Sequence, residues 1–263
     1  MKILAILISF IPLNFIHAAC EKSGLEIMKA QEKKQSANSE EETQDIVILD
    51  MKSKKKEKRT LKRYLIKEGE KKSKGLLFFN DPTTIKGAGL LNWKNLDEED
   101  QWLYIPEIKK LTRIVGGNKK NYFMGTDFTY ADLEGEDIDN NNYKCLKEIA
   151  CQNGKSSCFA IEAKPKTEER ARNIGYMKRL LLIDKKNLYT LQIVFYNLKG
   201  KKLKTARYSN WKQVDNVWRP DFAKMERHNV QTTFIKIKSR KLNSKINEIV
   251  FAKRYLQKEM HIK

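Results

Sequence analysis

Histidine is almost missing from this sequence: there are three in 263 residues, and His17 falls within the N-terminal leader described below. His228 follows a strand-like segment and reads as an exposed or hydrogen-bonded loop residue. His261 stands third from the end, where a mobile side chain is expected. No H-E-x-x-H, no G-x-S-x-G and no glycine-rich phosphate loop occurs, so no nucleophile–base pair, zinc-protease helix or nucleotide cradle is recognisable. A zinc site would need different cysteine spacing and more histidine. The adjacent acids Asp97, Glu98, Glu99 and Asp100 read as a solvated turn, since catalytic carboxylate pairs need environments that separate their pKa values. Asp137, Asp139, Asn141 and Glu148 fall at positions 1, 3, 5 and 12 of a calcium loop, with Asn142 in place of its glycine. No helix pair flanks them, and a polar turn is the better reading. These shortages point away from an enzyme, a bound metal and a cofactor.

Other shortages bound the architecture. No linker rich in proline, glycine or serine divides the chain, and no internal repeat is visible, which favours one domain over residues 19–263. After the leader, no apolar run approaches the ~20 residues that a membrane-spanning helix needs. The leader itself has a positive start at Lys2, an apolar run from Ile3 to Ile16, and small residues Ala18 and Ala19. That order predicts a secretory signal peptide over residues 1–18. Cys20 raises a lipid-anchoring alternative. His17 disfavours it, because a lipidation signal usually places Leu there.

Basic residues are abundant: 53 Lys and Arg stand against 33 Asp and Glu, a net charge of +20. Such a balance favours anionic partners in general. The lysines are spread along the chain, and their densest cluster, Lys52 to Arg59, lies between two apolar runs as a solvated hairpin connection. Spread charge and an export leader together exclude nucleic acid as the expected partner, and leave an anionic membrane surface as one option.

From Gln44 onward, short apolar runs recur between charged or turn residues: 44–51, 59–66, 74–80, 88–93, 102–105, 109–115, 142–149, 157–163, 176–184, 188–197, 202–209, 218–226 and 231–238. Each has strand length. In the first, Val47, Leu49 and Met51 form an apolar face from which Asp45 departs. In 188–197, Tyr189, Leu191, Ile193 and Phe195 share a face, with Thr190 and Gln192 pointing away. A helix is expected over 22–37, with Leu25, Ile27 and Met28 as its apolar face, and another over 246–258. Consecutive strands without βαβ alternation make an antiparallel sheet. So many strands must curl. The expected fold is mainly β: one curved antiparallel sheet forming an incompletely closed half-barrel, with terminal helices and the loop 116–140 over an apolar cavity.

All four cysteines lie beyond the leader, and an exported protein pairs its cysteines by default. Cys151 and Cys158 flank an Asn153-Gly154 turn signal. A disulfide between them closes an eight-residue ring worth about 2.5 kcal/mol in the chain-entropy model. Cys20 and Cys145 either pair or stay free.

The most specific stretch is 81–133. It contains Asp81-Pro82, Lys86-Gly87, Asp100-Gln101-Trp102-Leu103-Tyr104-Ile105-Pro106, Arg113-Ile114 and Phe123-Met124-Gly125-Thr126-Asp127-Phe128-Thr129-Tyr130. These segments resemble the outer-membrane lipoprotein-sorting, LolA-like family, and the similarity continues through Phe195-Tyr196 and Trp218-Arg219-Pro220. Ala131 and Asn197 depart from acids usual in the family. The resemblance implies a periplasmic half-barrel that carries lipoprotein acyl chains or another lipid, and an inner-membrane transporter of the resistance-nodulation-division (RND) type as partner. A non-catalytic scaffold docking on an envelope complex is the alternative. The residues expected to touch cargo are Trp93, Trp102 and Tyr104 from the strands and Phe123, Met124, Phe128 and Tyr130 from the loop. Glycines at 116, 117 and 125 fit a mobile lid as well as a fixed plug.

Overall fold

The computed structural model describes residues 20–262 apart from 70, 96–98, 152, 153 and 155. The leader, Asp97, Glu98 and Asn153 therefore lie outside the described residues. Thirteen strands form one sheet. They are β1 (Ser39–Asp50), β2 (Lys56–Lys67), β3 (Ser73–Asp81), β4 (Gly89–Lys94), β5 (Glu99–Ile105), β6 (Lys110–Ile114), β7 (Asn141–Ala150), β8 (Ser157–Pro165), β9 (Lys178–Asp184), β10 (Thr190–Tyr196), β11 (Lys202–Val214), β12 (Val217–Arg227) and β13 (Gln231–Leu242). Each expected apolar run became one of them. The helices are α1 (Gly24–Lys34), α2 (Glu168–Ile174), which the sequence reading missed, and α3 (Lys253–Gln257).

The spatial order is β6-β5-β4-β3-β2-β1-β13-β12-β11-β10-β9-β8-β7, and each neighbouring pair is antiparallel. Each half of the chain lays down a meander, and the first and last strands join the halves at the centre. β6 and β7 are free edges, so the barrel is open. The chain between them, residues 115–140, crosses the concave inner face. At the gap, the turn Gly116–Lys120 packs against α2.

Register assigns the faces. Leu61, Leu77, Phe79, Leu90, Leu103 and Ile114 turn inward and pack around Phe123 and Tyr130 of the crossing segment. Ile161, Leu181 and Ile183 also turn inward, against Ile27 and Met28 of α1. In β1 the inward set is Glu40, Glu42, Gln44, Ile46 and Ile48, whereas Asp45, Val47 and Leu49 face out half-buried. This reverses the expected face. The tract is apolar at both parities, so alternation alone carries no sign. In β10 a bulge between Thr190 and Gln192 sends Leu191 outward onto Cys151 and Cys158. It turns Thr190 inward, again opposite to the expectation.

α1 starts at a capping box between Ser23 and Glu26. Its buried side chains are Ile27 and Met28, while Leu25 is exposed. Gln31 Nε2 donates to Leu188 O and Thr190 Oγ1, both at 3.0 Å. Cys20 joins Cys145, and Cys151 joins Cys158. The first bridge ties the start of the described chain to β7 and answers the question the sequence left open. A sulfur in a disulfide is unavailable for a lipid thioether.

The C-terminal segment differs from expectation. Ala252 is extended (φ −82°, ψ 140°) and splits the helix into a 3-10 turn at Glu248–Phe251 and the short α3. The break lets Phe251 and Leu256 enter the same layer on the outer face of β3–β5, with Leu76, Phe78, Leu91, Trp102 and Tyr104. This segment therefore backs the sheet and does not cover the mouth. His261 is buried there, its Nε2 2.8 Å from Gly87 O and its ring against Phe78 and Tyr104. The mobile histidine expected from its position is a packed one.

Gly24 marks the closest approach of α1 to β7: a Cβ there would lie 2.7 Å from Lys144 N and Tyr143 C, both backbone. Gly24→Ala is expected to lower stability by about 1–3 kcal/mol, read from chemical denaturation. Gly117→Ala, which meets nothing within 4 Å, serves as the neutral control.

Candidate functional site

The crossing segment divides the concave face into two adjoining cavities of about 480 and 490 Å³. Gln31 of α1, Gln35 at its C-cap, Phe128, Asp132, Glu134 and Glu136 border both. Each falls within the size range of small-ligand sites. The first is walled by Ile46, Leu61, Leu65, Leu77, Phe123 and Ile235, and reaches Lys67, Lys71 and Lys72 at the β2–β3 connection. The second is walled by Ile174, Leu181, Ile193, Phe195 and Met225, with an aromatic side of Tyr189, Tyr208, Trp211 and Trp218. Tyr189 stacks on Trp211 with centroids 4.2 Å apart, and Trp218 lies 5.6 Å from Tyr189.

The crossing segment is held in place by buried ions. Lys204, with no exposed side-chain surface, donates to Asp127 O at 2.9 Å and pairs with Asp132. Asp127, equally buried, accepts from Arg227 Nε at 2.5 Å and Thr233 Oγ1 at 2.7 Å. Tyr176 donates to Asp132 Oδ1 at 2.9 Å. Phe123 stacks on Phe79 at 5.6 Å and meets Tyr130 edge-on. Such a segment behaves as a wedge. Lifting it would strand charges inside the sheet, at a cost of several kcal/mol each.

The cavity walls also carry charge that is internally matched. Arg240 Nε lies 2.7 Å from Glu42, Arg219 Nε lies 3.1 Å from Glu40, and Arg63 reaches both acids at 3.4 and 3.3 Å. Arg179 holds Glu136 through two 2.8 Å bonds, and Tyr143 donates to the same carboxylate. Burial opposes ionisation of Glu40, but the three arginines outweigh it and keep its carboxyl below the ordinary range. Burial works against Glu136 too, and Arg179 and Tyr143 prevail in the same direction. Burial, with the carboxylates of Asp132 and Glu136 nearby, pushes the Tyr208 hydroxyl up to about 12.

The expected cargo residues separate. Phe123 and Phe128 line the cavity, and Phe128 borders both parts of it. Tyr130 and Met124 pack into the wedge beside them. Trp102 and Tyr104 stand on the outer face under Phe251 and Leu256, with Lys253 3.9 Å above the Trp102 ring. Trp93 borders the first cavity, but its Nε1 donates outward to Phe251 O at 2.9 Å. The aromatic side of the second cavity was not anticipated as a site. Its signal was present in Trp218-Arg219-Pro220 and in the inward placement of Tyr189, Ile193 and Phe195. The calcium-like pattern does not converge: Asp137 pairs with Arg170, Asp139 with Lys71 and Glu148 with Lys185. His228 is exposed at the β12–β13 turn.

Residues 71–258 match a family model described as an uncharacterized protein. Over 89% of this chain and 98% of the other, an outer membrane lipoprotein-sorting protein domain from Vibrio parahaemolyticus superposes with a TM-score of 0.82 at 28% identity. The chain belongs to the family of that model, and its fold is that of the outer-membrane lipoprotein-sorting, LolA-like proteins. A DUF1329 family protein from Desulfovibrio piger shares the fold at a TM-score of 0.82 and 21% identity, covering 89% of this chain and 97% of that one. A LolA superfamily protein from Nitrosomonas europaea does so at 0.68 and 18%, covering 89% and 99%. No curated protein matches the chain. The two disulfides suit an oxidising compartment.

Glu40 and Glu136 bind protons more weakly folded than unfolded. Their contribution to stability is complete above the unfolded carboxyl value near about 4.3, and it drains as pH falls through the lower folded values. Urea midpoints are expected to fall below about pH 4. Glu136→Gln strands Arg179, lowers stability at neutral pH by about 2 kcal/mol given its partial exposure, and flattens the acid limb.

Proposed function

We propose that this chain is a periplasmic, non-catalytic carrier that holds the acyl chains of a lipoprotein, or another lipid, in the divided cavity and moves it toward the outer membrane. The observation that carries this reading is the pair of adjoining cavities on the inner face, together with the LolA-like fold. Alkyl chains are retained by area, at roughly 0.8 kcal/mol per buried CH2, and need few polar contacts. The wall charges are already matched to one another, so they make no demand on the cargo. An inner-membrane RND-type transporter is the partner that the family resemblance brings to this reading. The scaffold alternative requires a dry interior, and cavities of ligand size weigh against it. The predicted signal peptide of residues 1–18 and the two disulfides support export to an oxidising compartment.

Cargo enters beside α1 and the β2–β3 connection, while the wedge stays seated. Two variants test this together. Phe128→Asp places a charge at the junction of both cavities and is expected to weaken binding of a fluorescent fatty-acyl probe at least tenfold in a protein that still folds. Phe123→Asp breaks the stack on Phe79 and is expected to lower stability by about 3–5 kcal/mol, as for lost core aromatics. Binding that falls with Phe123→Asp at unchanged stability would turn the wedge into a lid. Bare protein in native mass spectrometry after gentle purification, together with no probe binding, would end the carrier reading.

A further inference from the structure

Antiparallel strand order places the β1–β2, β5–β6, β10–β11 and β12–β13 turns, and the chain entering β9, at one end of the half-barrel. Of the eight large apolar side chains that stand exposed among the described residues, four lie on this rim. Ile108 is 61% exposed, Val230 50%, Leu198 47% and Met177 40%. Ile108, Leu198 and Val230 sit at the points of three different turns, and Met177 abuts Gly200 in the Leu198 turn. Lone exposed apolar residues need no explanation. A row of them at hairpin tips, interspersed with lysines, does.

Three of these tips are basic, and Glu107 beside Ile108 is the one exposed acid in the four turns. Lys52, Lys54 and Lys55 crowd the β1–β2 turn, Lys109 follows Ile108, and Lys199 and Lys201 follow Leu198; all are exposed. Asp50, the acid of the first turn, is tied up by Ser53 N and Oγ at 2.6 and 2.9 Å. The β1–β2, β12–β13 and β10–β11 turns follow one another two strands apart, roughly 10 Å, and the β3–β4 connection stands between the β1–β2 and β5–β6 turns. Val230 O accepts from Met51 N at 2.9 Å, which locks two adjacent turns together.

We infer that this rim docks on an anionic lipid surface, the aliphatic tips entering the interface and the lysines reaching headgroup phosphates. A protein partner fits less well. Protein interfaces concentrate aromatics and arginine and deplete lysine, and these four turns contain lysine and aliphatics but no aromatic or arginine. Flexible lysine stems around small apolar points suit a fluid surface. The rim lies opposite the β2–β3 connection that the first cavity reaches, so a docked molecule turns that opening away from the bilayer. This inference does not rest on the carrier reading.

Co-flotation with vesicles of phosphatidylethanolamine and phosphatidylglycerol tests it. The full chain is expected to float with these vesicles at low salt, to be released at high salt, and to ignore vesicles of phosphatidylcholine alone. Replacing Lys52, Lys55 and Lys199 by Glu should weaken binding about a hundredfold, at about 1 kcal/mol per lysine, with acyl-probe binding and melting unchanged. Val230→Trp should shift its emission to the blue on the anionic vesicles. No flotation, flotation unaffected by the three replacements, or an unshifted Val230→Trp spectrum overturns the inference. Capture of an acidic protein by the rim without flotation also overturns it.

Discussion

The buried contact of Lys204 and Arg227 with Asp127 and Asp132 is the constraint on which the molecule depends. A sheet that begins and ends at free edges needs something to fill its concave side, and the chain must also travel from β6 to β7. One segment does both. Its polar backbone and two acids would be costly in that position if they were unmatched. The matched charges fix its height above the sheet, and its height sets the shape of both cavities. Phe123 and Tyr130 then fill the closed end, and Phe128 is left between the two chambers.

Much of this was legible in the sequence. Strand-length apolar runs gave every strand, because turns between them are charged and the runs are too short for helices. The number of consecutive strands pointed to a curled, incompletely closed barrel, the family resemblance implied the same half-barrel, and export chemistry gave the Cys151–Cys158 bridge. What failed did so for identifiable reasons. The inner face of β1 was misassigned because Ile46/Ile48 and Val47/Leu49 are equally apolar, and partner strands decide between them. Thr190 and Leu191 exchanged faces at a bulge that no local pattern announces. Trp102 and Tyr104 belong to the most recognisable motif, yet they serve the outer layer under Phe251. A strong motif marks what the fold needs, and that is not always what a ligand touches.

The polar interior follows the same logic. No local signal in the sequence marks Glu40, Glu42, Arg63, Arg219 and Arg240 as inward-facing. In the fold they close the end of the concave face where α1 ends. Arg219 also donates to Gln35 O at 3.0 Å and so joins the helix to β12. A network with nearly every member matched can line a cavity without dictating what enters it.

The pairing of β1 with β13 has a temporal meaning. Synthesis delivers β1 early and its partner almost last, so the central seam cannot close until nearly the whole chain is available. Until then each meander presents a naked inner border, open to pairing with any neighbouring chain. The topology is dominated by long-range contacts and therefore matures slowly. The Cys20–Cys145 bridge spans 125 residues and can form before that seam, since neither sulfur belongs to β13. It would tether the early helix to the second meander while the last strand is still to come, making oxidation an assembly step and not merely a reinforcement of the finished sheet.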